Sequence, residues 1–420
     1  MSRRQRWTPV RGTGNRVYDP AERRLLGALD LGGRVVAGAL RVARVAGRHA
    51  PPPSEVREVL VLRLDRMGDV LMSLPALLTL RGALPGARIR LAVGRWSEEI
   101  AARAPVDEVL VWSAPWAARR GEERDSARAL WRRARALRAD GLDLALDLQG
   151  DLRSNLLLAL TGARRRVGYA NTGGAYFLTD VLPLDETVSW VEQNQAAVAS
   201  ALHAAGLPPP APVDPPRGAG HDGTAALLGR LGLASARRPL VGVHPSGGRT
   251  VKQWDPARWA EVAARLEREF GATVVVTGSE ADRPLAAVVA RALRGQAVDL
   301  TGRLGVRETM EVIAGLDLFL SPDTGPMHMA CAVGTPSVAV FGPSDPARYF
   351  SGRGPRHVVV RAPLWCSPCN LIRKPPEECA GPEPPECLRL VAVEEVHVQA
   401  ARLLIELGGF RPLEAAAAAP

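Results

Sequence analysis

Two runs of alternating strand-like and helix-like segments, split by the proline-dense stretch LPPPAPVDPP (207–216), constrain this chain more than any other feature. Prolines at that density supply neither a helix nor a central strand, so the stretch reads as a linker. Before it, REVLVLRL (57–64), IRLAVG, EVLVW and DLALDLQ read as strands. DVLMSLPALLTLRGAL (69–84) and Arg-rich stretches between them read as helices. After it come PLVGVHP (239–245), ATVVVTG (272–278), VDLTG (298–302), LDLFLSP (316–322) and PSVAVFG (336–342), with helices at about 256–270, 280–293 and 306–315 and a last one at about 393–407. Such alternation implies right-handed βαβ units and parallel sheets. The reading gives a basic extension (1–55), a first α/β domain (56–206), a linker (207–222), a second α/β domain (223–392) and a terminal helix and tail (393–420). Two such domains predict a ligand cleft between them.

Composition narrows the function. At 420 residues, with 46% apolar and 23% charged side chains, the chain suits two folded domains rather than a disordered or fibrous protein. No uncharged apolar run of membrane-spanning length occurs. The net charge of +10 is unevenly spread: residues 1–50 hold 11 Arg and 3 acids, a net of +8, and the other 370 residues hold 43 basic and 41 acidic side chains. A nearly neutral body argues against nucleic-acid binding. In a helix from Ala21 to Arg48, Arg23, Arg34, Arg41, Arg44 and Arg48 fall within about 60° of one another, while Val35, Val36, Leu40, Val42 and Val45 lie elsewhere. That pattern fits a helix lying on an anionic membrane surface, or a solvated helix packed on its own domain. The few cysteines and the lack of a convincing secretory signal predict a reduced, cytoplasmic protein. Cys331 reads as a core residue, whereas Cys366, Cys369, Cys379 and Cys387 cluster in sequence. Their spacing is irregular and lacks a second CxxC, so no metal is expected there, with a four-cysteine zinc site as the alternative.

Four loops at strand ends carry the chemistry, where parallel sheets bind ligands. The first holds Arg63, Gly68 and Asp69; Asp69 is either a helix cap or a general base. The second, His244 to Trp254, holds Ser246, Gly247 and Lys252. Its Gly-containing turn before a helix offers backbone amides to a phosphate. Lys252 is one of only two lysines in a chain that otherwise uses Arg, which hints that a compact point charge is wanted. The third holds Glu280, suited to ribose hydroxyls or to a helix N-terminus. The fourth gathers Asp323, Thr324, Gly325 and His328; its carboxylate suits sugar hydroxyls, or caps a helix. Neither GxGxxG nor a Walker A loop is present, which lowers a dehydrogenase or P-loop reading.

With these loops in view, the chain resembles the ADP-heptose:lipopolysaccharide heptosyltransferases, glycosyltransferase family 9. The matching stretches are VLRLDRMGDVLMSLPAL (61–77), LDLQGDLRSNLLLALTGARRRVGY (146–169), HPSGGRTVKQW (244–254), VTGSEAD (276–282) and SPDTGPMHMACAVGTPSVAVFGPSDPARY (321–349). The resemblance implies a GT-B fold, two Rossmann-like domains facing a central cleft, here with an N-terminal helical extension. It implies an inverting transfer of heptose from ADP-heptose to a lipid-linked core oligosaccharide at the inner membrane's cytoplasmic face, needing no cofactor or metal. By position it makes Asp69 the general base and Arg63 a basic residue near phosphate or acceptor. Ser246, Gly247 and Lys252 match the diphosphate site, and Glu280 an acid near the nucleoside. Asp323 matches the residue holding the donor sugar, Thr324 and Gly325 its phosphate-contacting neighbours, and His328 a motif residue. Another nucleotide sugar, a protein acceptor, or an inactive cleft on a membrane-binding protein are the alternatives.

Overall fold

The computed structural model describes residues 20–43, 56–118, 121–208, 223–295, 297–352, 354–372 and 375–413. Most of the expected linker, and the basic positions 44 and 48, lie outside these residues. Residues 56–208, with the helix Pro20–Ala43, form one compact unit, and residues 223–413 form a second.

In the first unit the strands are β1 (Glu58–Arg63), β2 (Arg88–Val93), β3 (Glu108–Val111), β4 (Leu144–Asp147), β5 (Arg165–Gly168) and β6 (Asp180–Val181). All pair in parallel, in the order β3-β2-β1-β4-β5-β6. In the second unit they are β7 (Leu240–Val243), β8 (Thr273–Val276), β9 (Val298–Asp299), β10 (Leu318–Pro322), β11 (Ser337–Val340) and β12 (His357–Val360), in the order β12-β11-β10-β7-β8-β9. The two orders are the same: the first strand of each sheet lies between its second and fourth. Strand order therefore reverses at β1 and at β7, and the crevice beyond the carboxyl ends of β1/β4 and of β7/β10 is where such sheets take ligands.

The central strands are apolar on both faces because helices cover both faces. Val59 through Leu62 are fully buried in β1, as are Leu240, Val241 and Val243 in β7. The helix Pro256–Phe270 shows how local rules set one covering element. The Asp255 carboxylate accepts from the Ala257 amide at its start, Pro256 opens it, and Gly271 closes it with φ 65°. Its buried Trp259, Val262, Ala263, Leu266 and Phe270 recur at helical spacing, and Trp259 meets Trp254 edge-on at 4.6 Å. Each fully buried side chain of this size contributes about 1.5–3 kcal/mol. The terminal helix Val393–Gly408 packs on the same core through Val396, Ala400, Leu403 and Leu404.

The helix Pro20–Ala43 runs through Gly32 and Gly33, which the sequence marks as weak points. A Cβ at Gly33 would run into the Tyr176 hydroxyl, so glycine there admits the Ala175–Phe177 turn. Leu26 and Asp30 are buried on that side, and the Gly174 amide donates to Asp30 at 2.7 Å. Leu25, Leu29, Leu31 and Val35 are 54–67% exposed on the other. Of the expected basic stripe, Arg34 is exposed and pairs with Asp30 at 2.7 Å; the side chains of Arg23 and Arg41 lie outside the description. No described helix is long and apolar enough to cross a membrane.

Candidate functional site

In the first unit the chemistry gathers where β1 and β4 end. Arg63, the last residue of β1, is 1% exposed. Its Nε donates to the Asp69 carbonyl at 3.2 Å and its Nη1 to the Leu148 carbonyl. The Arg63 Nε lies 3.2 Å from Asp65 Oδ1, and its Nη2 lies 3.6 Å from Asp69 Oδ1. The guanidinium carbon sits 5.6 Å from the Trp190 ring centre. Arg63 is thus a fixed cation serving two carboxylates.

Asp69 turns out to be the third residue of the helix Met67–Ala83, not its cap; Arg66 precedes the helix. Asp69 Oδ2 accepts from the Arg66 amide at 3.0 Å, which settles one orphan N–H. Oδ1 faces Arg63 beyond hydrogen-bonding distance, and the side chain is 26% exposed. The capping and base readings therefore use different oxygens of one carboxylate.

Two further acids stand beside it. Burial pushes the Asp65 carboxyl up to about 8 against the pull of Arg63, and the charges of Asp69 and Asp147 push the same way. Asp147, ending β4, is buried and pushed up to about 7 by desolvation, although it accepts from the Gly150 amide at 2.7 Å, the Ser154 hydroxyl at 2.9 Å and the Gln149 amide at 3.2 Å.

In the second unit the loop after β7 folds back on the turn Thr250–Lys252. A Cβ on Gly247 would lie 2.5 Å from the Lys252 carbonyl carbon, so only glycine fits that approach. The Ser246 hydroxyl accepts from the Gly248 amide at 3.3 Å and bonds the Asp282 carboxylate, so it is engaged both within its loop and by the turn after β8. His244 is buried against Thr277 Oγ1 at 3.3 Å, and desolvation lowers it to about 4 despite Asp282, keeping the ring neutral.

Lys252 Nζ lies 2.8 Å from Asp323 Oδ2, just beyond the end of β10. Burial opposes the charge on Asp323, yet Lys252, the Ser344 hydroxyl and His328 outweigh it and hold the carboxyl below its ordinary range. Thr324 precedes the helix Gly325–Val333, but its side chain makes no capping bond and instead donates to the Pro322 carbonyl at 3.4 Å. No side-chain capping bond is made at this helix start, which follows closely on the end of β10. His328 Nδ1 meets Ser351 Oγ at 2.8 Å. Glu280 stands apart: it is 70% exposed and bound in two bonds to Arg283, at 2.7 and 2.5 Å.

All five cysteines are free thiols. Burial, then the neighbouring Cys369, Cys379 and Cys366, pushes Cys387 up to about 12. Among the described residues no group of three or more His, Cys, Asp or Glu is arranged to hold a metal ion.

Comparisons with known proteins bear on this geometry. Residues 130–379 match the family model of glycosyltransferase family 9 (heptosyltransferase). Lipopolysaccharide heptosyltransferase 1 of Pseudomonas aeruginosa is 29% identical over 324 residues, 74% of this chain and 85% of that protein. Lipopolysaccharide heptosyltransferase 2 of Salmonella typhimurium is 27% identical over 300 residues, 69% and 84% respectively. The solved structure of the E. coli ADP-heptose lipopolysaccharide heptosyltransferase II superposes with a TM-score of 0.65 at 24% identity, covering 83% of this chain and 99% of that one. The two α/β units with parallel six-stranded sheets are those of the GT-B fold.

Proposed function

The chain belongs to glycosyltransferase family 9, the heptosyltransferase family, and from that premise we propose that it moves a heptose from ADP-heptose to a hydroxyl of the lipopolysaccharide core, with inversion at the anomeric carbon. The observation that carries the reading is Lys252: a compact cation fixed at the carboxyl end of the central strands β7 and β10, beside the start of the helix Gly325–Val333.

In the reaction the acceptor oxygen attacks the anomeric carbon as the bond to the donor diphosphate breaks. Negative charge grows on the β-phosphate. Lys252, the amides around Gly247 and the first turn after Thr324 meet that charge. Asp323 both fixes Lys252 and offers its second oxygen to donor hydroxyls. Asp69 Oδ1 takes the acceptor proton as the new bond forms, because an alcohol is too weak an acid to ionise beforehand. Arg63 holds the acceptor side electropositive. His328 orders the loop through Ser351, and Glu280 reaches the nucleoside once it leaves Arg283. These groups supply the charge stabilisation that a cofactor or metal supplies elsewhere, so none is given a role.

The acceptor is lipid-linked, and the exposed apolar face of the helix Pro20–Ala43 suits the inner membrane's cytoplasmic surface. Replacing Leu25, Leu29, Leu31 and Val35 with Gln then weakens binding to anionic vesicles without altering nucleotide binding; equal vesicle binding removes this role.

Thermal unfolding with ADP, UDP and GDP, each with and without Mg²⁺, tests the donor. A ligand at about 100 times its Kd adds roughly 2.7 kcal/mol of stability. An ADP-selective rise independent of Mg²⁺ is expected; a preference for UDP or GDP discards ADP-heptose.

A further inference from the structure

The acceptor-side cluster holds an acid that the reaction above does not use. One cation, Arg63, faces Asp65 and Asp69, and a third carboxyl, Asp147, stands at the end of β4. Asp65 is held in place. Its neighbour Leu64 is fully buried, and the Trp96 indole N–H donates to its carbonyl. Trp96 in turn lies under the Arg66 guanidinium at 4.8 Å, and Arg66 is clamped by Glu122 through two bonds of 2.8 Å. Asp65 Oδ1 is sealed from solvent and accepts no hydrogen bond, although Arg63 Nε is only 3.2 Å away.

We infer that Asp65 is a positioning residue for Asp69: the two carboxylates share one buried guanidinium, so the protonation of Asp65 sets how firmly Arg63 holds the base. With Asp65 neutral, Arg63 bears on Asp69 alone, and a carboxylate paired one-to-one with a guanidinium is a poor proton acceptor. With Asp65 ionised, the nearer Nε contact divides the fixed cation between two carboxylates, and Asp69 Oδ1 is held less firmly. Among the described residues, the charges of Arg63, Asp69 and Asp147 bear on Asp65. Because burial places the Asp65 ionisation near 8, its effect falls on the alkaline side of neutrality.

The inference rests on Asp69 being the base, and the test separates the two. The pH dependence of kcat is measured for the wild type, Asp65→Asn and Asp69→Asn with saturating ADP-heptose and acceptor. Asparagine keeps the size of Asp65 but cannot ionise. Wild-type kcat is expected to rise roughly threefold or more through an ionisation near pH 8. Asp65→Asn keeps the rate seen at pH 6.5, lacks that rise, and leaves the donor KM unchanged. A purely structural role for Asp65 lowers the melting temperature or the rate at every pH and leaves the shape of the profile alone. Coincident wild-type and Asp65→Asn profiles, or a wild type without the limb near 8, overturn the inference. Full activity of Asp69→Asn instead overturns the assignment of the base.

Discussion

Lys252 Nζ and Asp323 Oδ2 meet at 2.8 Å, with the two side chains only 18% and 7% exposed. The partners come from loops that follow adjacent strands, 71 positions apart in sequence. Such a pair is ready-made for an anion: the ammonium is already placed and partly dehydrated, so the ligand does not bear the cost of ordering it. It is also a liability when one partner is lost, because the other remains buried and charged.

Lys252→Ala is therefore expected to weaken ADP binding about 10- to 100-fold, the loss of one charge-assisted contact. It should also lower the melting temperature, since Asp323 is left without its cation. Adding Asp323→Asn should restore the melting temperature but not the ADP affinity. Calorimetric titration and thermal unfolding of the single and double variants check both halves. Unchanged ADP affinity in Lys252→Ala removes the lysine from the phosphate site.

Gly247→Ala places a methyl 2.5 Å from the Lys252 carbonyl carbon and 2.6 Å from the Gln253 amide nitrogen. Both are backbone atoms, so the loop has to move and Lys252 moves with it. ADP affinity should fall at least as far as in Lys252→Ala, while Gly229→Ala, with open space around it, leaves affinity unchanged. Titration of both variants with ADP decides it; equal affinities mean that the loop does not need its close approach.

Stability should fall on acidification for a reason distinct from the site. Desolvation first, then Arg356, lowers His357 to about 4, against an unfolded value near 6.5. The unfolded chain binds the extra proton between those values, so the stabilising effect of the neutral ring is complete above about 6.5 and is lost as pH falls toward 4. His244 acts in the same direction. His357→Gln should flatten the loss of stability between pH 6.5 and 4 by up to about 3 kcal/mol. Denaturant unfolding across that range measures it, and parallel curves for variant and wild type contradict it.

Much of the site was legible because parallel α/β sheets expose the ends of their strands, and those ends are visible as apolar runs stopping at Gly, Asp, Ser or Pro. Asp69, Lys252 and Asp323 all follow such runs. What pairs with them was not legible. Leu148, whose carbonyl accepts from Arg63, is 85 positions away and comes within reach because β4 lies beside β1. The Lys252–Asp323 pair depends likewise on β10 lying beside β7. Strand β5 has no apolar signature, since two of its four residues are arginines; Arg166 is accommodated by donating to the Phe177 and Ala163 carbonyls at 2.7 Å each. For Glu280, suited to ribose hydroxyls or to a helix N-terminus, the sequence did not show that its i,i+3 neighbour Arg283 binds both oxygens.

The most direct test is product analysis after incubating the protein with ADP-heptose and a heptose-deficient lipid-linked core acceptor, with Asp69→Asn alongside. That substitution keeps an oxygen able to accept from the Arg66 amide, so the helix start survives while the base is lost. The wild type is expected to add one heptose to the acceptor and release ADP, and Asp69→Asn to bind ADP normally but lose at least about 100-fold in rate. An acceptor that gains no heptose, or an Asp69→Asn variant as fast as the wild type, contradicts the account.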